Sequence, residues 1–184
     1  DRYLVKRLKK ESKRLRKMVE ETLELSKLES SESFNKNKKI SISDLVMESW
    51  QTLKPLAEKK DIKISLFIPT KYYIAGDIEN LKRAFINILD NSIRYSPTNE
   101  EIQIEIFKRD SSVVMRVRDK GIGLEENEFN DIFSRFYRGD PSRTKFKKSG
   151  SGLGLSITKK IINNNKGFIK AFNHKDGGAI IETI

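Results

Sequence analysis

The chain has 184 residues, with 37 Lys and Arg against 26 Asp and Glu, for a formal charge of +11. It has no cysteine and one histidine, His174, which excludes disulfides, thiolate catalysis, cysteine-ligated zinc and a histidine-rich metal site. Hydrophobic residues at 36% suffice for a core, and no apolar run reaches the ~20 residues of a membrane span. The basic balance suits polyanions such as nucleotide, nucleic acid, phosphoprotein or acidic membrane.

Residues 1–30 read as one helix, with Leu4, Leu8, Leu15, Met18, Leu25 and Leu28 forming an apolar stripe. The other faces are basic, from Arg2 to Lys17. A single stripe cannot bury itself, so this helix needs a partner. A polar linker is expected over 31–39. Ser43-Asp44 is expected to cap a helix carrying Leu45, Val46, Trp50, Leu53 and Leu56, with Pro55 as a candidate kink. Ile62, Ile64, Leu66 and Ile68 alternate as in a half-buried strand. Asp77 opens the next helix, with Leu81, Ala84, Phe85, Ile88 and Leu89 inward. Two alternating strands follow, on Ile102, Ile104 and Ile106 and on Val113, Met115 and Val117, joined by a hairpin turn. The basic, Gly-bearing segment 139–152 reads as a mobile loop. A helix over about 153–164 and strands near 167–172 and 179–184 complete the chain. No internal repeat is visible.

Four motifs carry candidate chemistry. In Asn87-Ile88-Leu89-Asp90-Asn91, two amides share one helical face, and amide oxygens are hard ligands suited to Mg²⁺. In Asp119-Lys120-Gly121-Ile122-Gly123, a strand-ending Asp offers an acceptor for an exocyclic amine such as adenine N6, and the glycines let backbone approach a ligand. Gly150-Ser151-Gly152-Leu153-Gly154-Leu155 runs into a helix, where unobstructed N–H groups bind phosphate. It is neither a dinucleotide fingerprint nor a P-loop. Ile132-Phe133-Ser134-Arg135-Phe136-Tyr137-Arg138 sets two arginines beside aromatics. Each motif alone has an ordinary structural explanation, such as a solvated helix face or a tight turn.

In this order, and followed by Gly177-Gly178, the motifs resemble the catalytic and ATP-binding domain of bacterial sensor histidine kinases, within the gyrase, histidine kinase and MutL-type ATPase superfamily. The resemblance covers NILDNSIRYSP (87–97), DKGIGL (119–124), IFSRFYRGD (132–140) and GSGLGLSITKKI (150–161). It implies an α+β two-layer sandwich, with a mixed five-stranded sheet covered on one face by three helices. Residues 1–30 resemble the second helix of the family's dimerisation and phosphoacceptor hairpin, leaving 31–39 as linker and 40–184 as catalytic domain.

The resemblance also implies roles. Asn91 and Asn87 match Mg²⁺-coordinating positions, and Arg94 a basic position near the phosphates. Tyr95 packs beside adenine, Asp119 accepts from N6, and Gly121, Ile122 and Gly123 border the base. Phe133 anchors the loop, and Arg135 and Arg138 flank a lid over 139–150. Gly150, Ser151, Gly152, Leu153, Gly154 and Leu155 form the hinge and phosphate cradle. The cofactors implied are ATP and Mg²⁺. The partners implied are a phosphoacceptor hairpin, a response regulator receiver domain and, at full length, a second copy. No nucleic acid is expected, because no groove-reading motif accompanies the basic helix. A cytoplasmic domain of a membrane-anchored protein is expected.

Asn87 stands where gyrase-type enzymes place a water-activating Glu. A neutral amide is a poor base, which favours transfer to a protein nucleophile over hydrolysis. The family's phosphoacceptor His is expected upstream of Asp1, so this chain alone is not expected to phosphorylate itself, and His174 reads as a turn residue. Two alternatives stand beside this reading: an anti-sigma-type serine kinase and a non-catalytic nucleotide-binding module.

Overall fold

The computed structural model describes residues 2–30, 38–139 and 150–184. The elements are α1 (Arg2–Ser30), β1 (Lys38–Ser41), α2 (Ile42–Glu58), β2 (Lys63–Phe67), β3 (Tyr73–Gly76), α3 (Ile78–Tyr95), β4 (Glu101–Arg109), β5 (Ser112–Arg118), α4 (Glu128–Asp131), α5 (Gly154–Asn164), β6 (Ile169–Asn173) and β7 (Ala179–Thr183).

Five strands form one mixed sheet in the order β2-β4-β5-β7-β6. Only β2 and β4 run parallel, and α3 lies in the connection between them. On one face Ile102, Ile104, Ile106, Val117 and Ile181 meet Ile88, Leu89, Ile157 and Ile161 from the helices. Burying each such side chain contributes roughly 1.5–3 kcal/mol. The architecture is the α+β sandwich that the resemblance implied.

The other sheet face carries an ionic cluster beside Val114 and Ile180. The Glu182 carboxylate is 0% exposed. Its Oε1 accepts from Arg109 Nη2 at 2.9 Å and meets Lys170 Nζ at 3.0 Å. Its Oε2 accepts from Arg116 Nε at 2.5 Å. Burial opposes ionisation, but the three cations outweigh it and hold the carboxyl down at about 2.

Two sequence expectations need correction. Lys38 and Lys39, read as linker, belong to β1, which pairs antiparallel with β3 so that Ile40 becomes buried. The α2 cap is Ser41, whose Oγ accepts from Asp44 N at 3.3 Å, and Ser43 and Asp44 lie inside the helix. Pro55, the candidate kink, lies inside α2, which continues to Glu58. Pro55 and Gln51 lie on the exposed side, where water can serve the carbonyl that loses its donor.

The α3 cap is Asp77, accepting from Asn80 N at 3.0 Å. The apolar stripe of α1 divides. Leu25 and Leu28 join the core where α1 meets α5, whereas Leu4, Leu8 and Leu15 are exposed. Asn164 Nδ2 donates to Leu28 O at 2.9 Å, and ion pairs Glu24–Arg83 and Glu29–Arg135 tie α1 to the rest. Among the described residues no helix is long and apolar enough to cross a membrane.

Candidate functional site

A cavity of about 360 Å³ opens between the C-terminal half of α3, the segment after β5 and the start of α5. It gathers Asn87, Asn91, Arg94, Tyr95, Asp119, Gly121, Ile122, Gly123, Arg138, Gly150, Ser151, Gly152, Gly154 and Leu155. Residues from four separated motifs thus meet around one space.

Asp119 directly follows β5 and is 7% exposed. Its Oδ1 accepts from Gly121 N at 2.8 Å and Ala179 N at 3.0 Å. Among the described residues both bonds fall on Oδ1, so Oδ2 remains for a ligand donor. Burial pushes its carboxyl above the ordinary range, against the two backbone bonds and Arg118. A Cβ on Gly121 would stand 2.9 Å from both Asp119 Oδ1 and Tyr95 O. Only glycine fits that close approach.

On α3, Asn87 and Asn91 lie one turn apart. Asn87 Nδ2 donates to Gly154 O at 3.1 Å, tying α3 to the first turn of α5 and leaving its Oδ1 for a ligand. Among the described residues no three His, Cys, Asp or Glu side chains gather as a metal cluster. A cation here would take amide oxygens, its own waters and ligand phosphates, a donor set that fits Mg²⁺. Arg94 Nε donates to Asp90 Oδ2 at 2.7 Å, which holds the guanidinium along α3.

Gly152 has φ +82, and a Cβ there would stand 2.8 Å from the Phe136 backbone. The turn into α5 therefore needs glycine. Ser151 Oγ accepts from Leu153 N at 3.2 Å, fixing the same turn.

Three sequence candidates do not line the cavity. Phe133 and Leu153 are buried in the core, as apolar side chains on these turns can be without cost. Arg135 turns outward to Glu29 of α1. The expected lid, apart from Gly139 and Gly150, lies outside the described residues. His174 is a turn residue whose Nδ1 accepts from Asp176 N at 3.0 Å.

Sequence reasoning missed several lining residues. Lys60 Nζ donates to Ile93 O at 2.8 Å, Arg94 O at 3.0 Å and Ser96 O at 2.6 Å, closing the C-terminus of α3. Burial lowers its ammonium from the ordinary lysine range. Tyr137 OH donates to Glu128 Oε1 at 2.7 Å, and burial with this carboxylate pushes the phenol up to about 12. From α1, Lys17 and Glu21 also reach the cavity. Asp90 and Tyr137 stand inside motifs already noted, but Lys60, Lys17 and Glu21 carry no local pattern that marks them as lining residues.

Residues 76–184 match the family model described as histidine kinase-, DNA gyrase B- and HSP90-like ATPase. The chain belongs to this ATPase family. It is 35% identical over 182 residues to the sensor protein SphS of Synechococcus elongatus, covering 95% of this chain and 44% of that one. It is 32% identical over 178 residues to the sensor-like histidine kinase SenX3 of Mycolicibacterium smegmatis, covering 97% and 46%. The chain thus spans about half the length of the curated relatives it matches. Full-length ShkA in complex with AMPPNP shares the fold, with a TM-score of 0.81 at 21% identity, covering 99% of this chain and 38% of that one. The ATPase-family segment contains α3, the glycine turns and Asp119, so its match and the cavity coincide on the chain.

Proposed function

We propose that this chain is the catalytic part of a sensor histidine kinase in a two-component system. It binds Mg·ATP and passes the γ-phosphoryl group to a histidine on a dimerisation hairpin, for relay to an aspartate of a response regulator. The observation that carries the reading is the meeting of Asn87, Asn91, Asp119 and the glycine turn before α5 around one cavity in an ATPase-family domain. The names of its relatives support the kinase assignment.

In this reading Asp119 Oδ2 accepts from the adenine amine, with Tyr95 and Ile122 beside the base. Asn87 and Asn91 hold Mg²⁺, which when bound neutralises polyphosphate charge. Arg94, Arg138 and the N–H groups of Gly154 and Leu155 at the start of α5 orient the phosphates. Phosphoryl transfer needs positioning and charge neutralisation above all. The neutral imidazole attacks γ-phosphorus, the P–N bond forms as the bond to the bridging oxygen breaks, and ADP leaves. At full length, we expect a homodimer with the catalytic part in the cytoplasm and an anchor in the membrane.

The test mixes the chain with Mg²⁺, γ-labelled ATP and a matching hairpin that bears the histidine. Label that is acid-labile and alkali-stable supports the proposal. Acid-stable label would assign a serine kinase, and nucleotide binding without transfer would leave an interaction module.

A further inference from the structure

The cavity has a wall that no nucleotide motif supplies. Lys17 and Glu21 of α1 line it alongside Asn87 and Asn91. Their position follows from the docking of α1. Glu24 pairs with Arg83, near the start of α3, while the earlier Lys17 and Glu21 share the cavity with the later part of α3. The two helices therefore run antiparallel here. Glu21, one turn before Glu24, falls roughly level with Asn87, one turn after Arg83.

Glu21 is chemically unfinished in that place. It is 8% exposed, and among the described residues its buried Oε2 has no hydrogen-bond donor. Lys17 Nζ meets only Oε1, at 3.6 Å, and Lys17 itself is largely exposed. An anionic oxygen removed from water without a partner is costly, and a nearby polyphosphate would make it costlier. A divalent cation between the two reverses both effects. The Asn pair brings only neutral oxygens, so the cation's charge is otherwise balanced by phosphate alone.

Resting on the nucleotide reading above, we propose that the nucleotide site is composite: α1 completes it, with Glu21 giving an anionic oxygen to the nucleotide-bound Mg²⁺ and Lys17 a cation to the phosphates. α1 then reports to the site whether it is docked, and the metal, not the base, senses it.

Calorimetry on the whole chain tests this with a non-hydrolysable ATP analogue, once with Mg²⁺ and once with EDTA. Glu21→Gln should weaken binding in Mg²⁺ roughly tenfold, the size of one charged contact, and should not weaken binding in EDTA. Lys17→Met should weaken binding under both conditions. Equal affinity of wild type and Glu21→Gln in Mg²⁺ overturns the proposal, as does tighter binding by Glu21→Gln, which would mean that α1 obstructs the site. A wild-type chain that binds no nucleotide overturns the nucleotide reading itself, so the two failures are distinct.

Discussion

At Asp119 the hydrogen-bond inventory decides more than the charge. Oδ1 is committed to two backbone N–H groups. In Asp119→Asn the amide oxygen must keep those bonds, which turns Nδ2 toward the place of the adenine amine. Two donors then face each other. Competition binding should show ATP affinity falling at least tenfold, with the preference for ATP over inosine triphosphate lost, because hypoxanthine carries an acceptor at that position. The same residue sets a pH dependence. Its carboxyl titrates above the ordinary range in the free chain, and an N6 donor favours the ionised form. ATP affinity should therefore fall as pH drops through this raised value, and Asp119→Asn should remove that limb. Asn91→Ala should abolish Mg²⁺-dependent binding while the thermal midpoint stays within a few degrees, since the amide is not part of the core. On the opposite sheet face Glu182 runs the other way. Its folded value of about 2 lies below its unfolded value. The stability it gives is full above the ordinary carboxylate range and is lost as pH falls toward 2. Glu182→Gln should cost about 3 kcal/mol at neutral pH by denaturant melting, because three cations lose their counter-charge.

Elements differ in how much of themselves they announce. The α3 stripe, the β4–β5 hairpin and the strand-ending Asp119 were legible because 18, 9 and 7 residues give a period room to show. The β1–β3 ribbon was not, since four residues per strand hold one or two alternations and Lys38-Lys39 resembles linker. Motif matching placed Asn87, Asn91 and Gly152 at the cavity, but it could not tell a lining side chain from a buried neighbour such as Phe133 or Leu153. Lys60 shows what lies beyond local pattern. It follows α2 in sequence and acts some 35 residues away, on the carbonyls of Ile93, Arg94 and Ser96. A cation at a helix C-terminus offsets the negative end of the macrodipole as well as filling the orphan acceptors. Lys60→Met should fray the last turn of α3, which carries Arg94 and Tyr95. Amide exchange over 92–96 should accelerate, and domain stability should fall by about 2 kcal/mol. Lys60→Arg should recover part of both. Unchanged exchange in Lys60→Met would remove this role.

For the whole molecule the question is how firmly α1 sits on the ATPase domain. Leu25 and Leu28 bury apolar surface there, and Asn164 holds the Leu28 carbonyl. The Glu24–Arg83 pair looks like a further clasp, but its electrostatics point the other way. Burial raises the Glu24 carboxyl above its ordinary value, and neither Arg83 nor Lys27 offsets this, with Glu21 adding to the rise. A group whose value is higher docked than undocked takes up a proton on docking. Docking should therefore strengthen as pH falls through that raised value and weaken as pH rises through it. Ionised Glu24 thus costs more in lost hydration than the pair returns, as is common for partly buried ion pairs. The two partners are then not equivalent under mutation. Glu24→Gln should dock at least as tightly as wild type and lose the pH dependence. Arg83→Met should leave a desolvated carboxylate unpaired and weaken docking by about 1–3 kcal/mol at neutral pH. Tryptic cleavage after Lys27, in the docked last turn of α1, measures both. It should slow in acid for wild type, be slow at every pH for Glu24→Gln, and be several-fold faster for Arg83→Met. Equal acceleration in the two variants would mean that the pair is a net clasp after all, acting beside the apolar burial of Leu25 and Leu28.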